Sequence, residues 1–269
     1  MTTMKSRAAI VLCGLSALAA ACGGGSSSAG PTSPTSSPST PTFDACGAIA
    51  ATSIVNGSEC STEGSRVVRL NMRTSSGSPL NSCSGTIIAP RAILTAAHCF
   101  DEDTGIVRVF LGTGPQFETD SFVGHPDYRG VSSTALDVGV VLMKEDLGRP
   151  PIALLLSRAG QPGEQAIIAG WGGDLNGDTA RYRAGTTTLS AVGSLYLQTV
   201  FSPNTSNICA GDSGGPLLLQ DNGVWSIAAI TSASSAGTCN TTATNFYVSV
   251  RNDAIISFIR EHVQDAATR

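Results

Sequence analysis

Charge is scarce in this chain. Asp, Glu, Lys and Arg make up only 13% of its 269 residues, against roughly 25% in an average soluble domain. Ser, Thr and Gly are abundant instead, a balance that points to a β protein working outside the cytoplasm. Basic runs and stripes are also missing, and the formal net charge is -4, which excludes a nucleic-acid partner. There is no internal repeat. No close Cys-x-x-Cys pair offers the ligand spacing of a zinc site, so neither metal nor cofactor is expected. Histidine occurs only three times, as His98, His125 and His262, leaving few candidates for a general base. The apolar run Ala8 to Ala21 is too short to span a bilayer comfortably.

That run follows Lys5 and Arg7, and a positively charged start before a short apolar stretch reads as an export signal over residues 1–21. Losing it leaves 14 cations against 20 anions, a net charge of -6. Leu18-Ala19-Ala20-Ala21-Cys22-Gly23 resembles the bacterial lipoprotein cleavage box, in which the cysteine becomes a lipidated N-terminus, with Leu18 one position farther from Cys22 than usual. Cysteine parity favours the lipid. Of 8 cysteines, Cys13 leaves with the signal and Cys22 would be acylated, so an even set remains to pair in an oxidising compartment. The chain is therefore expected to be exported, as a cell-envelope lipoprotein or a secreted protein that meets membrane only through a lipid at Cys22.

Residues 22–45 are rich in Gly, Ser, Thr and Pro, with almost nothing to bury, and read as a disordered tether. Beyond them, short Val-, Ile- and Leu-rich runs alternate with turn formers, at 66–70, 86–88, 106–111, 138–143, 165–169, 189–200, 216–219, 225–231 and 246–250. This spacing predicts an antiparallel barrel or sandwich. Ala254, Ile255, Ile256, Phe258, Ile259 and Val263 recur at helical spacing behind Asn252 and Asp253, predicting one capped C-terminal helix.

The chemistry-bearing residues sit in demanding settings. Ser213 lies in Gly211-Asp212-Ser213-Gly214-Gly215-Pro216, where glycines let a carbonyl substrate approach backbone N–H donors. A serine hydroxyl is a weak nucleophile until an adjacent base takes its proton. Leu94-Thr95-Ala96-Ala97-His98-Cys99 supplies that base. Asp137 heads the apolar strand Val138 to Met143, where its charge needs a specific partner.

In this order, and with Ile54-Val55-Asn56-Gly57 and Gly170-Trp171-Gly172 between and before them, the motifs resemble those of the chymotrypsin-like, or trypsin-family, serine proteases. The likeness runs from about Ile54 to Val263. It implies an all-β fold of two six-stranded antiparallel barrels flanking a catalytic cleft, with a C-terminal helix, over residues 54–269. It also implies that Ser213 attacks a peptide carbonyl, that His98 carries the proton, and that Asp137 orients and stabilises the imidazole. Gly211 and Ser213 N–H groups would form the oxyanion hole. His125 resembles a structural His-Pro turn of the family, and His262 lies on the polar side of the last helix.

The resemblance implies a zymogen whose propeptide ends over residues 46–53. Cutting Ser53-Ile54 would free an α-amino group on Ile54 to pair with Asp212; Asn56 stands where glycine is usual. It implies disulfides Cys83 to Cys99 and Cys209 to Cys239, which leaves Cys46 and Cys60 to flank the cut and keep the propeptide attached. It places Asn207 at the base of the primary specificity pocket, with Ala233 and Asn245 as walls and Ile208 beside the base, so an uncharged residue should be preferred. Thr231, Ser232 and Ala233 would pair with an extended substrate strand. Polypeptide substrates, possible protein inhibitors and a monomeric state are the expected associations.

Two other readings compete. Gly211-Asp212-Ser213-Gly214-Gly215 also fits the nucleophile elbow of α/β-hydrolases, but an esterase needs its acid and histidine after the serine, and only His262 follows. A noncatalytic surface lipoprotein that keeps the fold for binding is the other.

Overall fold

The computed structural model describes residue 46 and residues 57–174, 181–202, 204–239 and 241–269. The signal segment, Cys22, most of the tether and the Ser53-Ile54 bond lie outside the described residues.

Alternation of buried and partly exposed residues along Val67–Arg73 makes this segment a half-buried strand, β2, after a two-residue β1 at Ser58–Glu59. It pairs with β3 (Pro79–Ala89), whose residues from Cys83 onward are all buried. Strands β4 (Ala92–Thr95), β5 (Ile106–Phe110), β6 (Phe117–Gly124) and β7 (Gly139–Met143) complete a closed six-stranded barrel in the order β2-β3-β4-β7-β6-β5. Arg69 opposite Phe110 is part of the β2–β5 pairing that closes it. Closure demands tight crossings: a Cβ on Gly85 of β3 would lie 2.6 Å from Ile93 Cγ2.

The second barrel has the order β8-β9-β10-β13-β12-β11, closed between β11 and β8, with β1 laid along β9. Its strands are β8 (Gln165–Gly170), β9 (Arg183–Val192), β10 (Tyr196–Val200), β11 (Pro216–Asp221), β12 (Val224–Ser234) and β13 (Thr244–Ser249). A helix, α1 (Asp253–His262), follows, and Asn252 caps it by accepting from Ala254 and Ile255 N–H. Its buried face is Ile255, Phe258 and Ile259; Ala254 is exposed and Ile256 partly buried, so the stripe is narrower than the apolar residues suggest.

Each barrel interior is filled by aliphatic side chains, including Leu70, Ile87 and Val140 in the first and Ile168, Leu217 and Ala229 in the second, all fully buried. Burying a Leu or Ile side chain contributes about 1.5–3 kcal/mol, so several such residues outweigh any single disulfide.

One expected run is redrawn and one strand was not expected. The run 189–200 is two strands, because Gly193-Ser194-Leu195 reverses the chain and Gly193 N–H bonds Tyr196 O at 2.8 Å. β6 went unforeseen because none of its residues is fully buried and Glu118 and Asp120 interrupt any apolar run. Among the described residues, no helix is long and apolar enough to cross a membrane.

Candidate active site

Strand β4 runs into a short 3-10 turn, Ala97–Cys99, that presents His98. β7 pairs with β4, placing Gly139 opposite Thr95, so Asp137, two residues before β7, arrives beside that turn. A Cβ at Gly139 would lie 2.7 Å from the Phe100 ring, which requires glycine at this approach. Asp137 is fully buried. Its Oδ2 lies 2.7 Å from His98 Nδ1, and its Oδ1 accepts the His98 backbone N–H at 2.9 Å. Cys99 is bonded to Cys83 of β3 with a Cα separation of 6.2 Å, which anchors the histidine turn to the barrel wall.

Burial would push the Asp137 carboxyl up. Hydrogen bonds from the His98 ring and backbone and from Ser232, together with the histidine charge, outweigh it and hold the group below the usual carboxylate range. Ser232 Oγ donates to Asp137 Oδ2 at 2.6 Å. The resemblance assigns Ser232 only to substrate pairing; the signal in the sequence is a hydroxyl residue directly after the apolar run Trp225 to Thr231.

Ser213 is brought to the same place from the second barrel. Ser84 N–H of β3 donates to Ser213 O at 2.8 Å, and Gly214 N–H donates to Thr231 O of β12 at 2.8 Å. Gly214 has φ +78°, and a Cβ there would lie 2.0 Å from Thr95 Oγ1 and 2.9 Å from Ala96 N. The turn after Ser213 is therefore packed directly on the segment leading to His98. Among the described residues, Ser213 Oγ makes no hydrogen bond to the imidazole; such contacts often tighten only when substrate binds.

The loop backbone is otherwise accounted for. Asp212 N–H donates to Cys209 O, Gly214 to Thr231 O and Gly215 to Asp212 O, at 2.8–3.0 Å. Among the described residues, the N–H groups of Gly211 and Ser213 have no such partner. Two free donors flanking one hydroxyl can receive a developing oxyanion. Gly211 reaches this geometry at φ +95°, a region that glycine enters without steric cost.

Asp212 is sealed inside. Its oxygens accept N–H groups from Gly172 and Cys209, each at 2.8 Å. Burial nevertheless pushes the carboxyl up to about 6, against those two bonds and the charge of Arg183. Among the described residues no ion pair reaches it; Arg183 instead pairs with Asp174 at 3.2 Å.

Beside Ser213 lies a cavity of about 250 Å³, walled by Ile208, Ala233, Ser234 and Ala236, with the Cys209–Cys239 disulfide in its lining. No charged side chain lines it. Ala233 is part of that lining. Asn207 and Asn245, the expected base and wall residues, are fully buried and are not themselves among the lining residues. They face each other, with Asn245 Nδ2 donating to Asn207 Oδ1 at 2.7 Å and Asn207 Nδ2 donating to Cys239 O at 2.8 Å. Asn245 Nδ2 also donates to Thr199 Oγ1 at 3.3 Å, while Asn245 Oδ1 is buried without a partner among the described residues. Thr231 also differs, because its N–H is committed to Gly215 O at 2.9 Å.

His125 bonds Asp127 N–H through Nδ1 and packs against Phe258, while His262 lies 4.7 Å from the Phe258 ring. Both stay with helix α1. Cys83, His98 and Cys99 approach within 4.8 Å, but the two sulfurs share one disulfide and offer no thiolate to a metal. Cys46 and Cys60 are also bonded, with a Cα separation of 5.1 Å. Ile54 and Cys22 lie outside the described residues.

The sequence model of the Trypsin family matches residues 54–256. The chain belongs to the trypsin family. Among curated members it is 28% identical over 199 residues to the serine protease Hayan of Drosophila melanogaster, covering 58% of this chain and 31% of that protein. It is 27% identical over 229 residues to chymotrypsin-like elastase family member 1 of Bos taurus, covering 70% of this chain and 85% of the relative. The chain spans 31–54% of the length of the first three curated relatives it matches. The solved structure of HL collagenase superposes with a TM-score of 0.65 at 21% identity, over 78% of this chain and 99% of that one. That likeness concerns the fold, and it leaves no place for an α/β-hydrolase.

Proposed function

We propose that the protein is an exported serine endopeptidase, made as a zymogen and active after cleavage at Ser53-Ile54. The observation that carries this reading is the 2.7 Å contact between His98 and a fully buried Asp137, on a turn packed against the Ser213 loop. Asp137 holds the Nδ1 proton and so leaves Nε2 free to act as base. Ser213 Oγ attacks the peptide carbonyl carbon as His98 takes its proton. Gly211 and Ser213 N–H groups receive the oxyanion, and His98 returns the proton to the leaving amine. Water then repeats the sequence on the acyl-enzyme.

The uncharged cavity supports a preference for a small, uncharged residue before the scissile bond. A Lys or Arg there would be desolvated with no counter-charge, a strongly unfavourable exchange. Asp212 supports the activation step. It is a buried anion lacking an ion partner among the described residues, and a new α-amino group on Ile54 would supply one; leaving a buried pair incomplete costs about 3–5 kcal/mol. Anchoring through Cys22 accounts for the even cysteine set and the tether.

The test is cleavage of a positional peptide library by the processed protein, with Ser213→Ala as control. We expect cleavage after small uncharged residues, lost by at least about 10³-fold in the variant. A basic preference would overturn the pocket assignment, and unchanged activity in Ser213→Ala would overturn the mechanism.

A further inference from the structure

We propose that Ser84 is a positioning residue for the oxyanion hole, acting through its side chain on Gly211; this rests on the peptidase reading above. Ser84 lies on β3, in the first barrel, and is fully buried. Its backbone N–H donates to Ser213 O at 2.8 Å. Its Oγ donates to Gly211 O at 2.8 Å and accepts the Trp171 backbone N–H at 2.8 Å. One residue thus grips the carbonyls of both residues whose N–H groups are left free for the oxyanion.

The direction of the hydroxyl bond is set by its surroundings. A serine hydroxyl has one proton. Gly211 O is an acceptor only and Trp171 N–H a donor only, so the proton points to Gly211. The Gly211–Asp212 peptide plane is then held at both ends, at its oxygen by Ser84 and at its N–H by Cys209 O at 3.0 Å. The preceding plane is held at Ala210 O by Gly173 N–H at 2.9 Å, with the Gly211 N–H free. Between these two planes stands a glycine at φ +95°, whose dihedrals turn at little steric cost. Ser84 is what stops that rotation, which would swing the donor off the oxyanion.

The hydroxyl also connects the two barrels. Trp171 N–H bonds Ser84, while the Trp171 indole N–H donates to Val67 O of β2 at 3.1 Å and the ring stacks on Tyr182 at 5.6 Å. A buried serine bonded on both sides is a rigid reference for a flexible glycine. Removing it leaves the Trp171 N–H buried and Gly211 O partly buried without this partner, an unfavourable state that movement of the loop would relieve.

The experiment compares Ser84→Ala and Ser84→Gly with the wild type in the processed full chain, measuring kcat, KM, affinity for a peptide aldehyde and thermal melting. The aldehyde adduct places its oxygen in the oxyanion hole. Losing one donor costs about 10²–10³ in kcat, and a misplacement of about 1 Å about 10². We therefore expect both variants to fold and to lose roughly ten- to a hundred-fold in kcat, with KM within about threefold. Aldehyde affinity should fall in parallel with kcat/KM. Unchanged kcat, a loss confined to KM, aldehyde affinity that stays at the wild-type level, or failure of both variants to fold would each overturn the role given to Ser84. A wild type that cleaves no peptide contradicts the peptidase reading itself, a result distinct from any variant's behaviour.

Discussion

A carboxyl group sealed from water prefers to be neutral, and Asp212 feels this most directly at physiological pH. Its pKa is raised to about 6 from 3.8, which corresponds to roughly 3 kcal/mol between the two charge states. The sign follows from linkage: an acid with a raised folded pKa contributes stability fully below its unfolded pKa and loses it as pH rises through the folded value. The uncut chain should therefore lose stability relative to Asp212→Asn as pH climbs from about 4 to 8. Melting of the precursor with Ser213→Ala, compared with and without Asp212→Asn, checks this. We expect the difference in stability to shift in the variant's favour by up to about 3 kcal/mol between pH 4 and pH 8, whatever the constant cost of replacing one of the two accepting oxygens by an amide NH2. A gap that does not widen with pH would contradict it. At this scale the sequence was informative where motif and chemistry coincide, as at His98, Asp137 and Ser213. It was silent at Ser84 and on the bond from Ser232 to Asp137, because both depend on contacts between residues far apart in sequence. The bonds of Asn207 to Cys239 O and to Asn245 were not legible, because spacing along the chain does not show which partners a buried amide meets.

Strands with one clearly apolar face were legible and the others were not. β2, β5 and β7 carry runs of Val, Ile and Leu, whereas β6 mixes Phe122 and Val123 with two acids and has no residue fully buried. β4 is only four residues long and merges into the histidine motif. The Leu189 to Val200 run failed for a different reason: both arms of a hairpin are apolar, so only Gly193-Ser194 marks the reversal. The N-terminal connection is where an element-level prediction applies. Cys60 follows β1, donates its N–H to Tyr182 O at 2.8 Å, and is bonded to Cys46. After cleavage at Ser53-Ile54 the segment bearing Cys46 should remain attached until reductant is added. Gels of processed protein with and without reductant should show the small segment released only under reduction. Its release without reductant would exclude the tethering role.

Across the whole molecule, the proposed mechanism draws on two barrels that are each incomplete as a site. The first supplies His98, Asp137 and the Ser84 grip; the second supplies Ser213, the Ser232 brace and the uncharged cavity. Fold class could be read from motif order, whereas most of the cavity lining could not, because it is assembled from the segment before β11, the end of β12 and the loop that follows β12. A scarcity of charge and an even cysteine set suit an exported domain held by disulfides and aliphatic cores rather than by surface ion pairs, which contribute about 0–1 kcal/mol each. The central claim is that His98, braced by Asp137, activates Ser213. The most direct measurement is the rate of sulfonyl fluoride labelling of the processed protein, followed by mass spectrometry of the labelled peptide. One label per chain is expected, on Ser213, with the rate falling at least about a hundredfold in His98→Ala. A label elsewhere, or an undiminished rate without the imidazole, would contradict it.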